Sequence, residues 1–212
     1  MSPTESPLRP EGFARLLSDS ATRFGLEPSP SALSRQASFL GELDRWRRRM
    51  NLVGDLSQQD LVAHTFESVA GETLISHGAR VIDIGSGGGF PAIPLAIWRS
   101  DLTVTLVEPR EKRAAFLRHV LRLLSLTTAE VLQRGIEDVP AEKPWEVATT
   151  RAVGGLGRLI GRAPFLSRSG LLLAWTTEPG GIAASLGAGF ALEKTLALSG
   201  SQKRVIAAFR KI

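Results

Sequence analysis

Val81-Ile-Asp-Ile-Gly-Ser-Gly-Gly-Gly-Phe-Pro91 is the stretch on which the reading of this chain turns. Val81 and Ile82 read as the end of a buried strand, and Gly85, Gly87, Gly88 and Gly89 follow at once. Pro91 and Pro94 then precede an apolar run, Leu95-Ala-Ile-Trp98. Proline suits the first turn of a helix, where its missing N–H costs nothing. The order is strand, glycine turn, helix, a unit whose backbone N–H groups approach a ligand closely.

The spacing narrows the ligand. A dinucleotide fingerprint needs glycine at the last position of G-x-G-x-x-G, and that position here is Phe90. The pattern present is Asp83-x-Gly85-x-Gly87-x-Gly89, with a carboxylate two residues before the first glycine. That carboxylate repels a pyrophosphate but suits S-adenosyl-L-methionine (SAM), which carries an ammonium and a sulfonium and no phosphate. A second acid, Glu108, ends the next apolar run, Leu102-Thr-Val-Thr-Leu-Val107. An acid there is placed to accept hydrogen bonds from ribose hydroxyls. Asp83, Gly85, Ser86, Gly87, Gly89, Phe90 and Glu108 are therefore expected to form the cofactor site. A structural glycine turn beside a solvated acid, and a nicotinamide dinucleotide site, stay open as alternatives.

Outward from this stretch, 212 residues and 43% hydrophobic content allow one good core with a small appendage. No apolar run reaches the length of a membrane span, and the polar, proline-rich Met1–Pro10 lacks the apolar segment of a signal peptide. The chain has no cysteine, which excludes disulfides and cysteine–metal sites; no metal is expected, and the cytoplasm is the default location. It also excludes methylation at C5 of a pyrimidine through a cysteine nucleophile. The net charge of +5 fits a polyanionic partner such as nucleic acid, though only weakly.

Before the glycines the chain reads as helical: Glu11 to Phe24, Ser31 to Met50, a short helix from Gln58 to Ala63, and another from His64 to about Ser76. The second ends in Arg45, Arg47, Arg48 and Arg49, more cation than a helix C-terminus needs, which suits phosphate binding. His64 reads as a packing or hydrogen-bonding residue rather than a catalyst. Residues 1–65 are expected to pack on the main domain, 66–212. After Glu108, a helix from Pro109 to Leu124 buries Phe116, Leu117, Val120, Leu121 and Leu124 and turns Arg110, Lys112, Arg113, Arg118 and Arg122 mostly outward.

Strands follow at Thr127–Gln133, Trp145–Thr150 and Gly170–Thr176, with a helix from Leu156 to Ser167. A hairpin around Ser199-Gly200, from Phe190–Leu198 and Arg204–Phe209, closes the chain. The alternation predicts an α/β fold: a seven-stranded, mostly parallel sheet with an antiparallel edge and helices on both faces. The loop Arg134-Gly-Ile-Glu-Asp138 brings a backbone amide and Ile136 to cover an adenine ring. Arg151, at the end of the fourth strand, points toward the reacting centre beside the glycine loop, because ligands bind at the carboxyl ends of parallel strands.

These residues resemble the RsmG (GidB) methyltransferases, a class I, Rossmann-like family that makes N7-methylguanosine in 16S ribosomal RNA. The resemblance runs from about Leu40 to the C-terminus. It rests on Trp46 to Leu52, His64-Thr-Phe-Glu67-Ser68, Asp83 through Leu95, Glu108 with Lys112-Arg113 and Phe116-Leu117, Arg134-Gly-Ile-Glu137, and Arg151-Ala152. Two departures stand out: Glu67 where the family has Asp, and Trp175-Thr176 where it has Lys-Gly. The resemblance implies SAM as cofactor, with Ile136, Glu137 and Arg151 joining its site. It implies 16S ribosomal RNA or the 30S subunit as partner, at a guanosine in the helix-18 loop near the decoding centre. Arg151 is then the catalytic residue, Arg45, Arg47, Arg48, Arg49, Arg134 and Arg204 contact RNA, and the protein acts as a monomer.

The chemistry is consistent with this. Guanine N7 has a free lone pair and needs no deprotonation before attacking a methyl group. The protein must align N7, carbon and sulfur and exclude water. With no tyrosine in the chain, stacking on the base falls to Phe90 or a tryptophan. A methyltransferase acting on a small molecule or protein, and a non-catalytic SAM- or RNA-binding relative, remain the alternatives.

Overall fold

The computed structural model describes residues 6–140, 142–151, 153–160, 163–199 and 203–212. The stretch that opened the analysis folds as expected. Strand β1 (Arg80–Ile84) runs into the glycine turn and then helix α4 (Ala92–Trp98), whose N-cap is Pro91. Ahead of it lie α1 (Pro10–Ala21), α2 (Pro30–Arg47) and α3 (Gln58–Val69). After it the chain alternates: β2 (Thr103–Val107), α5 (Glu111–Leu123), β3 (Ala129–Leu132), β4 (Trp145–Arg151), α6 (Leu156–Ile160), β5 (Leu166–Thr176), α7 (Pro179–Leu186), β6 (Phe190–Ala197) and β7 (Val205–Lys211).

The seven strands form one sheet in the order β3-β2-β1-β4-β5-β7-β6. The first five are parallel, and β7 inserts antiparallel between β5 and β6. The chain therefore leaves β1 toward one edge and returns to β4 on the other side of β1. The carboxyl ends of β1 and β4 flank the point where the winding reverses, which is where such sheets open a crevice.

Successive side chains on a strand point to opposite faces, and each face has its own core. Val81, Leu106, Val147, Leu173 and Ile206 face Phe13, Leu17, Phe39, Leu43, Phe66, Leu95 and Phe116, which come from α1 to α5. Ile82, Ile84, Ala148, Leu172 and Phe209 face Leu156, Ile160 and Leu186, from α6 and α7. Among the described residues, no helix is long and apolar enough to cross a membrane.

Four local expectations are corrected. The two helices read at 58–63 and 64–76 are one helix, α3, because Ser57 and Asp60 form a reciprocal capping box and nothing breaks the chain before Val69. The boundary expected between residues 65 and 66 thus falls inside a helix. The helix read from Leu156 to Ser167 is short, since Ala163 (φ +45°) and Pro164 turn the chain and β5 starts at Leu166 rather than Gly170. Helix α7, with Pro179 in its first turn, was not foreseen because its sequence is glycine-rich. The turn around Ser199-Gly200 includes a residue outside the described set, but the strands flanking it pair as expected.

Asp44 ties the N-terminal layer together. Its carboxylate is fully buried and accepts hydrogen bonds from the Leu8 N–H (3.1 Å), Gln58 Nε2 (3.3 Å) and Arg47 Nε (2.8 Å). Replacing Asp44 with Ala leaves the Arg47 guanidinium without its buried partner. We expect Asp44→Ala to lower stability by about 3 kcal/mol, read as a shifted urea midpoint at unchanged slope.

Candidate active site

The glycine turn is held by its neighbours. The N–H groups of Gly85 and Ser86 both donate to the Val107 carbonyl, at 2.9 and 3.0 Å, which fastens the turn to the end of β2. Gly85 has φ +69°, and a Cβ there would stand 2.9 Å from Val153 Cγ2. Only glycine meets both conditions without strain. Glu108, the acid at the end of β2, accepts from the Gly87 N–H through Oε2 (3.0 Å) and from the Arg110 N–H through Oε1 (2.9 Å). Each oxygen keeps a further lone pair for a ligand hydroxyl.

Above the turn lies a cleft of about 760 Å3, in the range of small-molecule sites. Gly85, Ser86, Gly87, Phe90, Glu108, Ile136, Glu137 and Arg151 all line it, so most of the expected cofactor set converges. Asp83 and Gly89, also expected in the cofactor site, are not among its lining residues. Gly89 turns away from the cleft, and a Cβ on it would meet Ile93 at 2.5 Å. Asp83 is 1% exposed beneath the turn, and its Oδ1 accepts from Thr149 Oγ1 at 2.7 Å. Its Oδ2 is buried without a hydrogen-bond partner. Burial pushes the Asp83 carboxyl up to about 7, the bonds from Thr149 and Ser86 pull it down, and the Glu108 charge raises it further.

A second cluster stands at the carboxyl edge of β4 and β5. Arg151 Nη2 donates to Glu67 Oε2 at 2.8 Å, and Arg204 Nη2 lies 2.9 Å from Glu67 Oε1. The Arg204 contact is close enough for ion pairing but is not aligned as a hydrogen bond, since Oε1 has no such partner. Trp175 Nε1 donates to the Glu67 carbonyl at 2.8 Å. Glu67 itself is 1% exposed. Arg204 Nη1 sits 3.2 Å from His64 Nε2. Burial and the charges of Arg151 and Arg204 depress His64 to about 3, so its ring is neutral at working pH. His64 also packs edge-on against Phe90, at 5.8 Å between ring centroids, which bears out its reading as a packing residue. Burial lowers the Arg151 guanidinium from its ordinary value while Glu67 raises it, and Arg151 Nη1 is buried with no hydrogen-bond partner.

The departure at Trp175 has a steric reason. Its ring fills the space over Gly71, where a Cβ would come within 2.6 Å of Cζ2. Phe90 is 7% exposed and packs edge-on against Phe39, so little of its ring is open for stacking. No tryptophan lines the glycine cleft; Trp175 borders a neighbouring one.

The expected RNA-contacting arginines divide. Arg49 and Arg134 are exposed, and Arg45 is exposed while paired with Glu42 at 2.7 Å. Arg48 reaches Asp44 at 3.5 Å with its side chain 30% exposed. Arg204 is partly exposed beside Glu67. Arg47 is drawn inward instead, bonded to Asp44 and to the Leu56 carbonyl.

The family model for rRNA small subunit methyltransferase G matches residues 33–178. This chain belongs to that family. Among curated relatives of the same name, the protein of Chloroflexus aggregans is 39% identical over 167 residues, covering 76% of this chain and 70% of the relative. That of Thermobifida fusca is 45% identical over 116 residues, covering 54% and 49%. A SAM-dependent methyltransferase from Aquifex aeolicus superposes with a TM-score of 0.54 at 17% identity, covering 69% of this chain and 88% of that one. This last likeness is one of fold, and it bears out the Rossmann-like methyltransferase architecture.

Members of the rRNA small subunit methyltransferase G family are expected to bind SAM, and the residues here fit it. Glu108 offers acceptors for hydroxyls, and Ile136 (5% exposed) offers an apolar cover. Sequence reasoning missed three parts of the cleft. The turn Asn51-Leu-Val-Gly54 forms one wall. Arg113 was read as mostly outward, but it bends over the cleft and donates from Nη2 to the Asn51 carbonyl at 2.6 Å. Val153 and Gly154 form the wall beside Arg151, and Ala152 between them lies outside the described residues.

Proposed function

We propose that this protein transfers the methyl group of SAM to N7 of a guanosine in 16S ribosomal RNA. The observation that carries the reading is the meeting, in one cleft, of the glycine–Glu108 ledge with a partly buried guanidinium, Arg151. SAM, when bound, supplies an electrophilic methyl on a sulfonium. Glu108 accepts from its ribose hydroxyls, and Ile136 with Glu137 encloses its base. No group here has to deprotonate N7: His64 is neutral and engaged with Arg204, and both Glu108 oxygens already accept backbone N–H groups. The work left to the chain is orientation and exclusion of water. Arg151, with Nη1 unpartnered, steadies the acceptor base or its phosphate. Arg45, Arg48, Arg49, Arg134 and Arg204 neutralise phosphates; Arg47 is excluded from this role by its inward bonds.

On this reading the enzyme works as a single chain in the cytoplasm, where its ribosomal substrate is. Transfer of labelled methyl from SAM to 30S subunits, naked 16S RNA and a protein extract, in parallel, tests it. We expect the label in 7-methylguanosine after nuclease digestion, and a rate that falls steeply with added salt because several phosphates are contacted. Label in protein or in another nucleoside would discard the RNA assignment.

A further inference from the structure

A second cleft, of about 500 Å3, adjoins the first and shares Arg151 and Val153 with it. Its polar groups lie on opposite sides of the sheet edge. Arg151 and Arg204 are on the side covered by α3, where both pair with Glu67. Glu178 begins α7, which packs on the other face. Apolar side chains such as Leu156, Ile182 and Leu198 line the cleft with them. Glu178 is the single carboxylate among the lining residues, and it is exposed. Although it occupies the N-cap of α7, its side chain makes no capping hydrogen bond. Its carboxylate is thus uncommitted among the described residues.

We infer that this second cleft is the acceptor-base pocket, and that Glu178 selects guanine by accepting its N1–H and exocyclic N2–H. The inference rests on the proposed rRNA methylation and specifies its substrate site. Guanine is the only one of the four bases whose pairing edge presents two adjacent donors, and a carboxylate presents two adjacent acceptors. Adenine and cytosine place an acceptor beside a donor, and uracil flanks one donor with acceptors. N7 lies on the opposite edge of guanine, so a base held by Glu178 turns N7 away from α7. The wall common to the two clefts is the arginine side. A base drawn out of its stack is commonly read in this way, by its pairing edge in an apolar slot. Arg151 and Arg204 then meet the phosphate of the same nucleotide.

Equilibrium dialysis of the full chain, saturated with S-adenosylhomocysteine, against GMP, IMP and AMP tests the assignment. IMP lacks the 2-amino group and AMP lacks both donors. We expect GMP to be retained about tenfold more tightly than IMP and more tightly still than AMP. Glu178→Gln should bring GMP and IMP to parity. Glu178→Ala should lower kcat/KM for 30S methylation about ten- to hundredfold with SAM affinity unchanged. A misfolded loop would weaken all three nucleotides alike, whereas lost selectivity marks the carboxylate. Equal retention of the three nucleotides by the wild-type protein, including none, overturns the inference, as does a GMP preference that survives in Glu178→Gln. If GMP selectivity holds but no 7-methylguanosine forms, the pocket stands and the proposed reaction falls. If 7-methylguanosine forms without that selectivity, the reverse is true.

Discussion

Arg151→Ala should reduce methyl transfer to ribosomal substrate by at least about a hundredfold while SAM affinity stays within a few-fold of wild type. Arg151 lines both clefts, so on the proposed reading its guanidinium stands where cofactor and acceptor would meet. Removing it takes away a charged donor that is already desolvated and needs no reorganisation at the moment of reaction. The variant should still fold. Glu67, which would otherwise be an uncompensated buried charge, keeps Arg204 at 2.9 Å and the Trp175 indole on its carbonyl. Arg151→Lys retains the charge but not the planar fork, and should recover only part of the rate. Labelled-methyl kinetics alongside calorimetric titration of SAM separates the two effects. Unchanged turnover in Arg151→Ala would remove Arg151 from the mechanism.

The second large effect concerns pH and Asp83. Its carboxyl is raised from 3.8 to about 7, chiefly by burial. Between those values the folded protein holds a proton that the unfolded chain has released. Raising the pH therefore favours unfolding across that window: the Asp83 contribution to stability is complete below about pH 4 and lost as pH rises through about 7. The full swing is on the order of 4 kcal/mol by linkage. Asp83→Asn keeps the acceptor for Thr149 and cannot ionise. Urea unfolding of both proteins from pH 4 to 8 should show the wild type losing stability relative to the variant. Parallel curves would mean that Asp83 is ionised throughout.

Much of the fold was legible because glycine, proline and period-two apolar runs are local signals. Val81 to Pro91 announced its own strand and turn, and Glu108 announced the end of the next strand. Legibility failed where the deciding contact is distant in sequence. Arg113 has the helical spacing of a solvated residue, and only the approach of Asn51 turns it over the cleft. Arg47 sits among three other arginines that suit phosphate, yet Asp44 and the Leu56 carbonyl draw it inward. Asp83 was read as a ligand-facing acid from its place before the glycines. Its strand register pairs it with Thr149 instead, and that register puts the carboxyl under the turn rather than in the cleft.

The Glu67 cluster is also the part of this region that the order of synthesis completes last. Its contacts join residues 84, 108 and 140 positions apart: Glu67 with Arg151, Glu67 with Trp175, and His64 with Arg204. The glycine turn and Glu108 are complete much earlier in the chain. The order of synthesis therefore delivers the glycine turn and Glu108 well before Arg204, the last member of the cluster.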